Sequence, residues 1–126
     1  MDDLVGMQVE QAEGDVVVVR LTGELDIATA EPMGRRIAEA VPSTARGVVI
    51  DTTQLGFMDS SGVSMLFGLA RRVGSRRQEL RVVAVPGHPV ARVLEIVEFE
   101  RAAPVHRDVS SAVAEIAKRG SQPPRG

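Results

Sequence analysis

The apolar positions of this chain change period along its length, and the changes mark its elements. Leu4, Val5, Met7 and Val9 make residues 4–11 weakly strand-like. Glu13-Gly14-Asp15 suits a tight turn, because glycine tolerates dihedrals that other residues resist. Val16 to Leu21 is a β-branched run and predicts a strand, the more buried half of a hairpin. Thr22-Gly23-Glu24-Leu25-Asp26 closes that strand. From Thr29 or Ala30 to Ala40 the period becomes helical, with Ala30, Met33, Ile37, Ala40 and Val41 on one face. Pro32 falls in the first turn, where its missing N–H costs nothing.

Residues 46–52 predict the next strand. Its core, Val48-Val49-Ile50, is continuous rather than alternating, as in a strand covered on both faces. A short polar turn leads to a helix over about 61–74, with Val63, Leu66, Phe67, Ala70 and Val73 sharing a face. Leu80 to Val85 is a strand, and Pro86-Gly87-His88-Pro89 is a turn. Val90, Val93, Leu94 and Val97 keep helical spacing for about two turns. Ala102 to Val105 is a short strand, and Asp108 to Arg119 is the last helix. From Gly120 the chain is expected to be a flexible tail, leaving one domain over 1–119. The order is β-β-α-β-α-β-α-β-α. Alternation after the hairpin implies parallel crossovers, so the fold class is α/β with a mixed sheet of about five strands and four helices.

Composition narrows the function classes. With three Phe and no Tyr or Trp, the core must be aliphatic, and little is available to stack nucleic-acid bases. The net charge of −2 provides no field for nucleic acid or membrane, so neither is an expected partner. The absence of Cys removes disulfides and thiolate metal sites. Met1-Asp2-Asp3-Leu4 is acidic, so no signal peptide is expected, and Val16–Val19 is far too short to span a bilayer. A cytoplasmic, soluble protein is the expectation.

The stretch with the most chemistry is Gly56-Phe57-Met58-Asp59-Ser60-Ser61-Gly62. Asp59, Ser60 and Ser61 fall where a helix starts and its first N–H groups lack partners. They are good N-caps. A hydroxyl held there is also a favourable place for a phosphate. A serine nucleophile is not supported. The elbow G-x-S-x-G needs small residues two positions away, but Met58 precedes Ser60 and Asp59 precedes Ser61 at that spacing. Only His88 and His106 could act as a base, and nothing in the sequence brings either to Ser60. Two histidines without metal-ligand spacing, and Asp26, Asp51 and Asp59 spread over separate segments, do not make a metal site. No phosphate-cradling glycine loop is present, so no cofactor is expected and the chain does not read as an enzyme.

Binding remains. On the second helix Ser61, Met65, Gly68 and Leu69 fall largely opposite the apolar face. Met adapts to a partner and Gly lets a backbone approach. This is either a docking surface or a face covered by a neighbouring helix of the same chain. Arg71, Arg72, Arg76 and Arg77 gather at the end of that helix, where cations suit the dipole and solvent, or a partner could read them.

Thr22-Gly23-Glu24-Leu25-Asp26, and Phe57-Met58-Asp59-Ser60-Ser61-Gly62 after an aliphatic strand ending in Asp51, resemble the stand-alone STAS domains. These are the anti-sigma factor antagonists of bacterial sporulation and general stress control. The resemblance runs from about residue 5 to residue 119. It implies that Ser60, the first serine of the turn, is phosphorylated by a serine kinase that is itself the anti-sigma factor. The unphosphorylated antagonist would bind that kinase and free a sigma factor. Phosphate would switch binding off, and a metal-dependent serine phosphatase would reset it. The resemblance places Asp26 on the same interaction surface. Asp59, Ser61, Gly62, Met65 and Leu69 are the further residues expected to form it. A STAS module that binds a small ligand, or serves a transporter or sensory complex without phosphoswitching, is the alternative. Two positions depart from the family pattern. Ser64 stands where members often have a second Gly. Glu98 replaces a Gly that would let the third helix end in a left-handed cap.

Overall fold

The computed structural model describes residues 5–120. Val5–Ala12 (β1) and Val16–Leu25 (β2) are joined by a 3-10 turn, Glu13–Asp15. Ala30–Ala40 (α1), Gly47–Met58 (β3), Ser60–Ser75 (α2) and Glu79–Val83 (β4) follow. Then come Pro89–Ile96 (α3), a 3-10 turn at Phe99–Arg101, Val105–His106 (β5) and Val109–Gly120 (α4). The five strands lie side by side in chain order. β1 runs antiparallel to β2, and every later pairing is parallel. This is the mixed α/β sheet that the alternation of periods predicts.

The two faces of the sheet are covered differently. Val17, Val19 and Leu21 of β2, with Val48 and Ile50 of β3, join Met33, Leu66 and Leu94 in the main core, so α1, α2 and α3 share one face. Val16, Val18 and Val49 meet Ala112, Val113 and Ile116 of α4 on the other. The central strands are buried on both sides, which explains why they read as continuous aliphatic runs.

Several boundaries differ from expectation, each for a tertiary reason. β2 does not stop at Leu21 and β3 does not stop at residue 52. Their second halves pair with each other, Thr22 with Gln54 and Leu25 with Met58, across two register irregularities. Gly56, Phe57 and Met58 are therefore strand rather than turn, and α2 begins at Ser60. β4 ends at Val83, not Val85. β5 is only Val105–His106, because Phe99–Arg101 coils into a 3-10 turn that uses residues expected to lead into a strand. α4 runs through Gly120, the residue expected to open the tail, and the rest of that tail, 121–126, lies outside the described residues.

Two helix ends take left-handed residues that are not glycine. After α2, Arg77 (φ 61°) lets Gln78 N–H bond the Val73 carbonyl at 2.9 Å and its own N–H bond Gly74 at 3.1 Å, a Schellman closure. After α3, Glu98 (φ 56°) is left-handed too, with its N–H on the Glu95 carbonyl at 3.0 Å, so the missing glycine does not prevent a left-handed residue there. It leaves strain instead, since a β-carbon in this region costs roughly 1–2 kcal/mol. Glu98→Gly is expected to raise stability by about 0.5–1 kcal/mol in urea unfolding, because the exposed Glu98–Arg101 pair it deletes contributes little. A loss of stability would show that the ion pair matters more than the backbone.

Candidate functional site

The site is built where β2 and β3 end side by side. The Asp59 N–H bonds the Leu25 carbonyl at 3.1 Å, which ties the start of α2 to the end of β2. Asp59 is the N-cap: its Oδ1 accepts from the Ser61 N–H at 2.8 Å. Ser60 is the first residue of the helix. It is exposed, and its hydroxyl bonds no other described residue. Capping and the free hydroxyl thus fall to different side chains. Gly62 is buried, and a β-carbon there would stand 2.6 Å from Met58 Cγ and 3.0 Å from Leu25 Cβ. The missing side chain lets the first turn of α2 lie against both strand ends.

Asp26 opens the β2–α1 loop and is locked into it. Its Oδ1 accepts from the Ala28 N–H at 2.9 Å and the Thr29 N–H at 3.1 Å. Its own N–H bonds Thr29 Oγ1 at 2.9 Å, and that hydroxyl donates to the Glu24 carbonyl at 2.8 Å. This reciprocal arrangement holds the loop in one shape and presents the next residue, Ile27, which is 85% exposed. On the neighbouring strand Phe57 is 46% exposed. Single exposed apolar residues are ordinary, and Ile96 is 74% exposed elsewhere; what sets Ile27 apart is its place beside Ser60. Sequence reasoning missed both: Ile27 lay in an unassigned loop and Phe57 in a supposed turn.

The second face of α2 does not point straight outward. Leu69 is only 5% exposed and belongs to the main core, contrary to its expected outward position. Met65 is half-buried, with its Cγ 2.9 Å from where a β-carbon on Gly34 of α1 would stand. A neighbouring helix of the same chain therefore covers part of this face, and the buried stripe is rotated toward Met65 and Leu69. What stays open is a groove between α1 and α2, about 630 Å³, with Ile27 and Ser60 at one end and Arg72 at the other.

The remaining candidate groups lie apart from Ser60. Asp51 is on the α4 side of the sheet, where its Oδ1 accepts from the Thr53 N–H at 2.9 Å and Oγ1 at 2.7 Å, with Arg20 Nε 3.5 Å from Oδ2. His106 on β5 meets Ser111 Oγ at 3.1 Å and Arg81 at 3.2 Å; burial, then the Arg81 charge, hold its pKa below the usual value. Among the described residues no three His, Asp or Glu side chains gather as metal ligands, and no helix is long and apolar enough to cross a membrane.

Comparison with known proteins identifies the architecture. The family described as "Mlab, STAS domain" matches residues 9–115. The chain belongs to the STAS domain family. A curated relative, the anti-sigma F factor antagonist of Paenibacillus polymyxa, is 29% identical over 102 residues, 80% of this chain and 86% of that protein. The crystal structure of an anti-sigma factor antagonist from Mycobacterium paratuberculosis superposes with a TM-score of 0.79 at 25% identity, covering 89% of this chain and 93% of that one. The anti-sigma factor antagonist SpoIIAA in its unphosphorylated form gives a TM-score of 0.63 at 27% identity, covering 91% and 99%. The phosphorylated form of the Bacillus SpoIIAA gives 0.63 at 25%, covering 88% and 99%.

Proposed function

We propose that this STAS domain is an anti-sigma factor antagonist whose binding is switched at Ser60. Unphosphorylated, it binds an anti-sigma factor with serine kinase activity in the cytoplasm and releases a sigma factor for stress-response transcription. Phosphate on Ser60 ends that binding, and a serine phosphatase restores it. The observation that carries this reading is the exposed, unpartnered Ser60 hydroxyl at the first position of a helix that Asp59 already caps. The names of the relatives support the antagonist role, and SpoIIAA supports phosphorylation on this fold.

The physics of the position agrees. A phosphate brings about −1.5 to −2 charge at neutral pH. At a helix N-terminus it is favoured by roughly 0.3–1 kcal/mol, so the fold has no reason to change. The consequence falls on the partner, which would meet new bulk and charge beside Ile27, with Phe57 exposed near the end of the neighbouring strand. These two side chains would supply the apolar contact that the expected list, Asp26, Asp59, Ser61, Gly62, Met65 and Leu69, largely lacks. Gly62 and Leu69 are buried and would act by shaping the surface, and Asp26 and Asp59 by holding its loops.

Incubation with the cognate anti-sigma kinase and ATP is expected to add one phosphate, and peptide mass spectrometry is expected to find it on Ser60. Phosphate on Ser61 alone, or none with a kinase that binds the chain, would overturn the assignment.

A further inference from the structure

Ser60 is the first rung of a ladder. Ser60, Ser64, Gly68 and Arg72 follow at four-residue spacing along one edge of α2, and all four line the groove. Across it Ala30, Gly34 and Ala38 repeat the same spacing on α1. Rows at this spacing are the ridges by which helices interlock. On α1 Met65 already fills the space beside Gly34, so close approach of a third backbone falls to the small residues Ser64 and Gly68 of α2. Both walls are helices, so their main-chain groups are already paired. An extended peptide would find no strand edge to bond there, whereas a helix brings its own backbone bonds.

The groove is also charged unevenly. Arg72 lines its far end, Arg35 stands next to the Gly34–Met65 contact nearer the middle, and the Arg71 guanidinium reaches within 3.8 Å of where a β-carbon on Gly68 would lie. Arg72 and Arg71 have no ion-pair partner among the described residues, and Arg35 has only the exposed Glu31 at 3.7 Å. The Ser60 end carries Glu31 and the uncharged Ile27. α2 is 16 residues long, about 24 Å, so the two ends are well separated.

We propose that the α1–α2 groove seats one amphipathic helix of the partner kinase, with carboxylates on that helix meeting Arg35, Arg71 and Arg72. This rests on the antagonist reading and extends it from a contact at Ser60 to a docking track. It also explains how one phosphate could suffice, since Ser60 stands at the mouth of the track on the row the helix would touch. Nothing in the antagonist has to refold.

The test uses the full-length kinase found to phosphorylate Ser60, with binding measured by calorimetry. Gly68→Leu fills the groove from a helical position whose β-carbon meets only the flexible end of Arg71. It is expected to weaken binding at least tenfold with no loss of melting temperature. Arg35→Gln with Arg72→Gln is expected to slow association about tenfold and flatten its salt dependence. Wild-type affinity and salt dependence in both variants would overturn the proposal while leaving the antagonist reading intact. If Gly68→Leu does not fold, the arginine pair decides alone. A wild-type dimer by sedimentation that Gly68→Leu makes monomeric would assign the groove to a second copy of this chain and overturn it too. Failure of the wild type to bind any anti-sigma kinase defeats the antagonist reading itself, and the docking track with it.

Discussion

Ser60→Asp is expected to weaken binding to the anti-sigma factor by roughly 100-fold, about 2.8 kcal/mol, while leaving the melting temperature within a few degrees of wild type. The two halves of this expectation have separate causes. The cap is provided by the Asp59 carboxylate on the Ser61 N–H, so changing Ser60 removes no helix-start hydrogen bond. A carboxylate at the first helical position is favoured by the dipole, so stability holds or rises slightly. The binding loss would come from placing an unpaired charge beside Ile27 in the surface proposed for the partner. Ser60→Ala is expected to bind within about threefold of wild type, a change of under roughly 0.7 kcal/mol, and to take up no phosphate. Asp59→Ala should behave in the opposite way, costing about 1 kcal/mol of stability through the lost cap. Calorimetric titration of the three variants, paired with thermal melts, separates the roles. Equal affinities for Ser60→Asp and Ser60→Ala would remove the switch from this position.

Much of this arrangement is legible in the sequence, and the parts that are not share a physical reason. Val16 to Leu21 and Val48-Val49-Ile50 announce buried strands because burial on both faces demands unbroken aliphatic runs. The helix start at Asp59-Ser60-Ser61 is readable because capping is local chemistry. Thr22-Gly23-Glu24 and Gln54 to Phe57 are interrupted by Gly23, Glu24 and Gly56, which are poor strand formers. They extend only because each is the other's partner, and one-dimensional periodicity does not record such a contact. Leu69 is a similar case. Its helical-wheel position looks outward until α1 settles beside α2, with Gly34 making room for Met65. Ile27, a large apolar residue beside Asp26 and Ala28, leaves a faint signal; Phe57, between Gly56 and Met58, leaves none. Their exposure becomes meaningful only once the ends of β2 and β3 are known to lie together.

Phe99→Ala is expected to produce the largest loss of stability of any single truncation considered, about 3–5 kcal/mol. Phe99 is 0% exposed and is the largest fully buried side chain. Its ring centre lies 5.0 Å from that of Phe67 at 58°, a tilted pair that adds about 0.5–1.5 kcal/mol beyond burial. The position follows from the helix end before it. Glu98 turns left-handed, and the next residue swings back beneath α3 into the main core with Leu94. Against a total of about 5–15 kcal/mol for a domain, such a loss is a large share, about 10–20 °C in melting temperature at this size. Truncating Phe67, which is only half-buried, should cost less, and the double variant should fall short of the sum by the ring–ring coupling. A Phe99→Ala loss below about 1.5 kcal/mol in urea unfolding would mean that the core closes over the cavity, which close-packed aliphatic neighbours oppose. Binding should not follow stability here. Neither Phe67 nor Phe99 lines the α1–α2 groove, and α2 reaches the site through Asp59 and Gly62 at its other end. Below its melting transition the Phe99→Ala protein is therefore expected to bind the anti-sigma factor as the wild type does and to accept phosphate on Ser60.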